Sequence, residues 1–238
     1  MDAIYQCYKD NDKVEFVLDN FFKNGGDKVY LCSDQGEDFG YLWERYPDRV
    51  IYKRNDEKSW SGVFGFKSKA DILYWLVWYT EACRQLTSDY IILLEDDIEL
   101  RGDINTIPIQ YEIMGPPKNI HNIFGQDIQD YIHNFDKRNI PITFYVGCGG
   151  SIMNRKIIAN GEFVYLLNNH YETLRTLDQK AKYSDAILSI LFRLSGYESG
   201  ENKEYTEPFF TENWQTSHHK ILHHKKYHTA ESSYGLLY

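Results

Sequence analysis

Residues 90–94 read Tyr-Ile-Ile-Leu-Leu, an apolar run without polar interruption, and three carboxylates follow at once in Glu95, Asp96 and Asp97. A strand with one wet face alternates apolar and polar side chains. An unbroken run belongs instead to a sheet covered on both faces. The run is too short to cross a membrane, which takes ~20 apolar residues, and no stretch of the chain is long enough. A chain built around this strand must lay helices against both sides of its sheet.

The flanking pattern supplies them. Ala3–Tyr8 reads as a strand stopped by the polar loop Lys9–Asp12. Asp12 is the expected cap of a helix carrying Val14, Phe16, Val17, Phe21 and Phe22 on one side, ended by Asn24-Gly25-Gly26. Lys28–Cys32 and Arg49–Tyr52 read as two further strands. Between Ser68 and Gln85, Ile72, Leu73, Leu76, Val77, Tyr79 and Ala82 recur near helical spacing behind a good N-cap, Ser68. The order strand–helix–strand–strand–helix–strand predicts an α/β fold with a mostly parallel sheet and helices on both faces. Further on, helices are expected over Asn122–Phe135, Asn154–Tyr171 and Ser184–Ser195, and a strand over Ile142–Val146. No internal repeat or low-complexity linker divides the 238 residues, so one domain is expected.

A net charge of −9 argues against a nucleic-acid partner, since phosphate polyanions must be attracted. Cys7, Cys32, Cys83 and Cys148 form no CxxC pair and sit in apolar or glycine-flanked surroundings, so they read as reduced core thiols. The first residues lack the basic and apolar regions of a signal peptide, which makes a soluble, cytoplasmic protein the expectation. Aromatic residues make up 16% of the chain, enough for a thick core or for stacking flat ligands.

In open sheets of this class ligands sit at the carboxyl ends of the strands. Glu95-Asp96-Asp97 lies at such an end. In extended chain Glu95 and Asp97 point to one side and Asp96 to the other. Adjacent carboxylates repel one another and lose hydration beside a core. A divalent cation offsets both costs, and oxygen ligands suit Mg²⁺ or Mn²⁺. The competing explanation is a solvated acidic strand terminus.

The segment YIILLEDDIEL resembles the acidic "DxD" segment of GT-A glycosyltransferases. That resemblance implies a Rossmann-like, mostly parallel sheet and transfer of a sugar from a nucleotide diphosphate sugar, UDP-linked, to a hydroxyl of a glycan or other acceptor. It assigns the metal to Asp97, the ribose or the metal shell to Glu95, and donor contact to Asp96. Other segments are similar in the same order: IYQCYKDND points to Tyr8 at the nucleobase, LCSDQGEDF to Asp34 at the uridine, and FKSKADILYWLVWY to Lys69 at the nucleotide. The likeness divides the chain into a nucleotide-binding half (1–100), an acceptor and catalytic half (101–200), and a tail (201–238) that closes the site.

Three further segments carry chemistry. Tyr145–Ser151 ends in glycines that permit close backbone approach, and the resemblance places Gly149 and Gly150 beside the donor sugar. An ordinary tight turn is the alternative. Asp185 opens the helix from Ser184, where GT-A enzymes that invert the sugar carry the base that deprotonates the acceptor. Helix capping by Ser184, with Asp185 complementing the dipole, is the alternative. In HHKILHHKKYH, the likeness expects a metal-binding histidine, with His218 and His219 ahead of His223 and His224; a solvated basic tail is the alternative. Lys220, Lys225 and Lys226 are candidate phosphate contacts. A nucleotidyltransferase, or a non-catalytic nucleotide- or glycan-binding module, stays open as a rival reading.

Overall fold

The computed structural model describes residues 1–56, 65–116, 125–135, 148–178, 181–206 and 218–224. The expected strand over Ile142–Val146, the start of the helix expected from Asn122, and Lys225 and Lys226 lie outside them.

The first half follows the alternation read from the sequence. Strand β1 (Asp2–Cys7), helix α1 (Asn11–Lys23), β2 (Val29–Asp34), the short α2 (Tyr41–Arg45), β3 (Val50–Asn55), α3 (Lys69–Gln85) and β4 (Tyr90–Leu94) succeed one another. Three-residue strands β5 (Ile98–Leu100) and β6 (Ile113–Gly115) follow, then α4 (Gln126–Phe135), β7 (Ile152–Asn154), α5 (Arg155–Ala159), α6 (Glu162–Leu177) and α7 (Ser184–Leu194). Three short strands close the order: β8 (Ser199–Glu201), β9 (Tyr205–Thr206) and β10 (Ile221–His223).

Seven of these strands form the main sheet, in the order β3-β2-β1-β4-β7-β6-β8. β7 runs against both its neighbours, and the remaining pairings are parallel. β4 is buried on both faces, as its composition requires. Ile91 and Leu93 enter a core shared with α3, α5, α6 and α7, whereas Ile92 and Leu94 enter a second core beneath α1 and the small sheet. Successive strand residues face opposite sides, so one run of five serves both cores. Cys7 and Cys32 fall into different cores, and all four cysteines are buried free thiols.

Local chemistry fixes the helix ends. Ser68 caps α3 by accepting from the Asp71 amide, and Asp71 accepts in return from the Ser68 amide. Asp10, not Asp12, caps α1: it takes a positive φ of 76° and accepts from the Lys13 amide, leaving Asp12 in the first turn. The single helix expected over Asn154–Tyr171 is divided, because Asn154 ends β7 and Gly161 adopts φ 82° between α5 and α6. The buried Asp2 is a fastener at the base of the sheet, accepting from the backbone amides of Lys28, Thr87 and Ser88. Among the described residues no helix is long and apolar enough to cross a membrane.

Candidate active site

The chain lays down β1, β2 and β3 outward in one direction, then returns to place β4 on the other flank of β1. Such a reversal opens a crevice at the carboxyl ends of the two central strands, where open α/β sheets bind ligands. Tyr8 follows β1 there, and Glu95-Asp96-Asp97 follows β4.

The three acids do not continue the strand. The Ile98 amide donates to the Glu95 carbonyl over 3.1 Å, closing a tight turn that leads into β5. The turn still separates the carboxylates as expected. Asp96 accepts from the Tyr5 hydroxyl at 3.2 Å, while Glu95 and Asp97 converge on another donor, His223. Burial, and then the Asp96 charge, push the Tyr5 hydroxyl well above its ordinary pKa, so it stays protonated and donates.

β5 is anchored to α1, because Asn20 both donates to the Leu100 carbonyl and accepts from its amide. Antiparallel to β5 lies β10, which also pairs in parallel with β9. Two apolar residues, Ile221 and Leu222, bury β10 and leave His223 at its end. The His223 Nε2 is 3.2 Å from Asp97 Oδ1, and the next amide, of His224, donates to the Asp97 carbonyl at 2.7 Å. Ligand atoms of Glu95, Asp97 and His223 lie within 4.8 Å of one another. Two carboxylates of one turn and an imidazole from β10, at close quarters, form a donor set that fits one divalent cation.

The glycine segment closes the cluster from above. The Gly149 amide donates to Glu95 Oε1 at 2.9 Å, and a Cβ at Gly149 would meet Glu95 and Ile98 side-chain atoms at 2.8–3.0 Å. Gly150 has φ 83°, and a Cβ there would come within 2.8 Å of both Ile221 and Tyr205. These two glycines are required by close approach and, at Gly150, by backbone conformation.

The other expected residues divide by location. Asp34 is buried at the end of β2, in register with Asn55 of β3. Tyr8 is 48% exposed, and its carbonyl accepts from the Glu37 amide. The turn after Asp34 comes so near that a Cβ on Gly36 would lie 1.7 Å from the Tyr8 carbonyl oxygen. Tyr8 and Asp34 therefore border one rim of the crevice. Lys69 opens α3, and its ammonium donates to the Asn168 carbonyl on α6 at 3.1 Å and stands over Tyr171, so these contacts lead to α6 rather than to the carboxylates. Asp185 is half-buried in the first turn of α7, and its Oδ1 accepts from the Ala186 amide. The residue at the N-cap of α7 is Tyr183, not Ser184. His218 and His219 precede β10 and are not in the converging group; the structure brings His223 there instead.

Two residues of the site carried no signal in the sequence reading. Lys13, on the first turn of α1, pairs with Asp10 at 3.0 Å. Its ammonium is held above the ordinary lysine value by the Asp10 hydrogen bond first, with further contributions from Asp96 and Asp97. Tyr205 hydrogen-bonds the Nδ1 of His223 at 2.7 Å. For His223 a signal did exist: among the four histidines it alone follows an apolar pair, the mark of a buried strand ending at a polar group.

No protein-family model and no curated protein sequence matches this chain. Solved structures do share its fold. Galactosyltransferase LgtC, crystallised with donor and acceptor sugar analogues, superimposes with a TM-score of 0.58 over 99% of this chain and 92% of its own, at 10% identity. An active-site mutant of LgtC gives 0.55 over 99% and 92%, at 9% identity. The apo glycosyltransferase GlyE of Streptococcus pneumoniae TIGR4 gives 0.55 over 95% of this chain and 54% of its own, at 12% identity. The architecture is that of a GT-A-type glycosyltransferase.

Proposed function

We propose that this chain is a metal-dependent glycosyltransferase that moves a sugar from a nucleotide diphosphate sugar, UDP-linked, to a hydroxyl of a glycan or other acceptor. The convergence of Glu95, Asp97 and His223 at the reversal point of a GT-A sheet carries the reading. Asp97 and His223 would hold the ion directly, and Glu95, pinned by the Gly149 amide, completes the set. The oxygen-rich donors suit Mn²⁺ or Mg²⁺. A bound divalent cation supplies neutralisation of the charge that develops on the leaving diphosphate.

The remaining roles belong to the chain's own residues. Tyr8 and Asp34, on the rim formed by β1 and β2, face the base and ribose of the donor. Lys69, at the start of α3, would contact the nucleotide only by leaving the Asn168 carbonyl to which it donates. Asp96, fixed by Tyr5, contacts the donor from the far side of the turn. Gly149 and Gly150 let the donor sugar approach backbone without a side chain between them. Asp185 takes the proton from the attacking acceptor hydroxyl, which makes the transfer inverting.

Turnover of UDP-sugars by the full chain tests this. Release of UDP should require Mn²⁺ or Mg²⁺ and disappear in EDTA and in Asp97→Ala. Turnover that survives intact in EDTA would sink the metal role, and pyrophosphate as the released product would replace sugar transfer by nucleotidyl transfer. The anomeric configuration of the product, read by NMR, decides the Asp185 role: retention removes it.

A further inference from the structure

Beside the converging donor set stands a tyrosine that hydrogen-bonds one of its members. Tyr205 pairs with Ile221 across the parallel β9–β10 ladder, and His223 lies two residues further along, on the same face. The Tyr205 hydroxyl reaches diagonally to His223 Nδ1 at 2.7 Å, with the rings 6.2 Å apart at 63°. With Nδ1 engaged there, Nε2 is left facing Asp97 at 3.2 Å.

From this geometry we infer that Tyr205 is a positioning residue for the candidate metal centre, fixing the His223 imidazole with Nε2 toward Asp97 and Glu95. The inference rests on the metal-dependent reading above and extends it to a residue outside the donor set. The tyrosine is itself immobilised: it is 3% exposed, and its ring lies where a Cβ on Gly150 would approach within 2.8 Å. One glycine turn thus governs two ligands. Gly149 holds Glu95 directly through its amide, and Gly150 backs the tyrosine that holds His223.

A hydroxyl suits this place for a chemical reason. It donates to Nδ1 while an Nε2 proton faces Asp97, and it accepts from an Nδ1 proton while the Nε2 lone pair faces a cation. Outer partners of this kind orient a metal-bound histidine and raise its basicity. Phenylalanine keeps the ring and its packing and does neither.

The test is a double-mutant cycle on the full chain, with Mn²⁺ affinity measured by calorimetry without nucleotide. Tyr205→Phe should bind Mn²⁺ about 10–100-fold more weakly than wild type, with an unchanged circular dichroism spectrum and metal-free melting midpoint. Introduced into His223→Ala, the same change should cause no further loss, because Tyr205 acts through that ring. Wild-type affinity in Tyr205→Phe overturns the inference while leaving the metal-dependent reading intact. So does an equal loss in the His223→Ala background, or a Tyr205→Phe chain that does not fold, since the hydroxyl would then serve the fold. A wild-type protein that binds no Mn²⁺ overturns both.

Discussion

His170 shows how burial sets the behaviour of one side chain. On α6 its Nδ1 meets the Tyr131 hydroxyl of α4 at 2.7 Å, and the rings of Tyr131 and Phe135 stand edge-on to it. Burial holds its imidazole below the ordinary value of 6.5. The folded state therefore resists a proton that the unfolded chain accepts from about pH 6.5 downward, and the unfolded state is favoured as pH falls through that value. The thermal midpoint should decline from pH 7 to pH 5, with a shallower slope in His170→Gln; equal slopes would assign the dependence elsewhere. Residue chemistry alone does not reveal such roles. Asp2 and Asp97 are both aspartates beside a buried strand, yet Asp2 is consumed by three backbone amides and Asp97 faces a histidine. The sequence marks Asp97 only because Glu95 and Asp96 stand next to it.

At the scale of elements, the reciprocal Ser68–Asp71 cap defines where α3 begins. Ser68→Ala should cost about 0.5–2 kcal/mol of stability, read as a lower urea midpoint with an unchanged slope. No loss would mean that packing alone fixes that end. α3 and β4 were legible because seventeen and five residues of regular pattern identify a period. β5, β6, β7, β8, β9 and β10 have two or three residues each, too few for any period to show, and α2 has five. These short strands exist through their partners: β10 is held by β5 on one side and β9 on the other. The break at Gly161 was missed for a related reason. Phe163 and Leu167 of α6 enter the same core as Ile157 and Ile158 of α5, so apolar spacing continues across the interruption.

For the whole molecule, the unbroken apolar run of β4 and the alternation of strands and helices were enough to foresee a mostly parallel sheet with helices on both faces, and an acidic cluster at the end of β4 was read with it, although as extended chain rather than as the turn that forms. In the sequence reading His218 and His219 stand ahead of His223, whereas the structure brings His223 to Glu95 and Asp97; the apolar pair before it hints at a strand, but no local pattern records that β10 returns to β5 from more than a hundred residues away. That return has an energetic signature. A ligand that binds only the assembled site stabilises the native state by about 2.7 kcal/mol at a hundredfold excess over its dissociation constant. Mn²⁺ should therefore raise the melting midpoint of the wild-type protein but not that of Asp97→Ala; equal shifts in both would place ion binding elsewhere. The same return orders events in time. While the chain is being synthesised, Glu95, Asp97 and Gly149, whose amide holds Glu95, are made before His223. The grouping of Glu95, Asp97 and His223 is therefore complete only once residue 223 has been made and β10 has taken its place between β5 and β9. Among the described residues, β10 is thus the last strand for which that grouping waits.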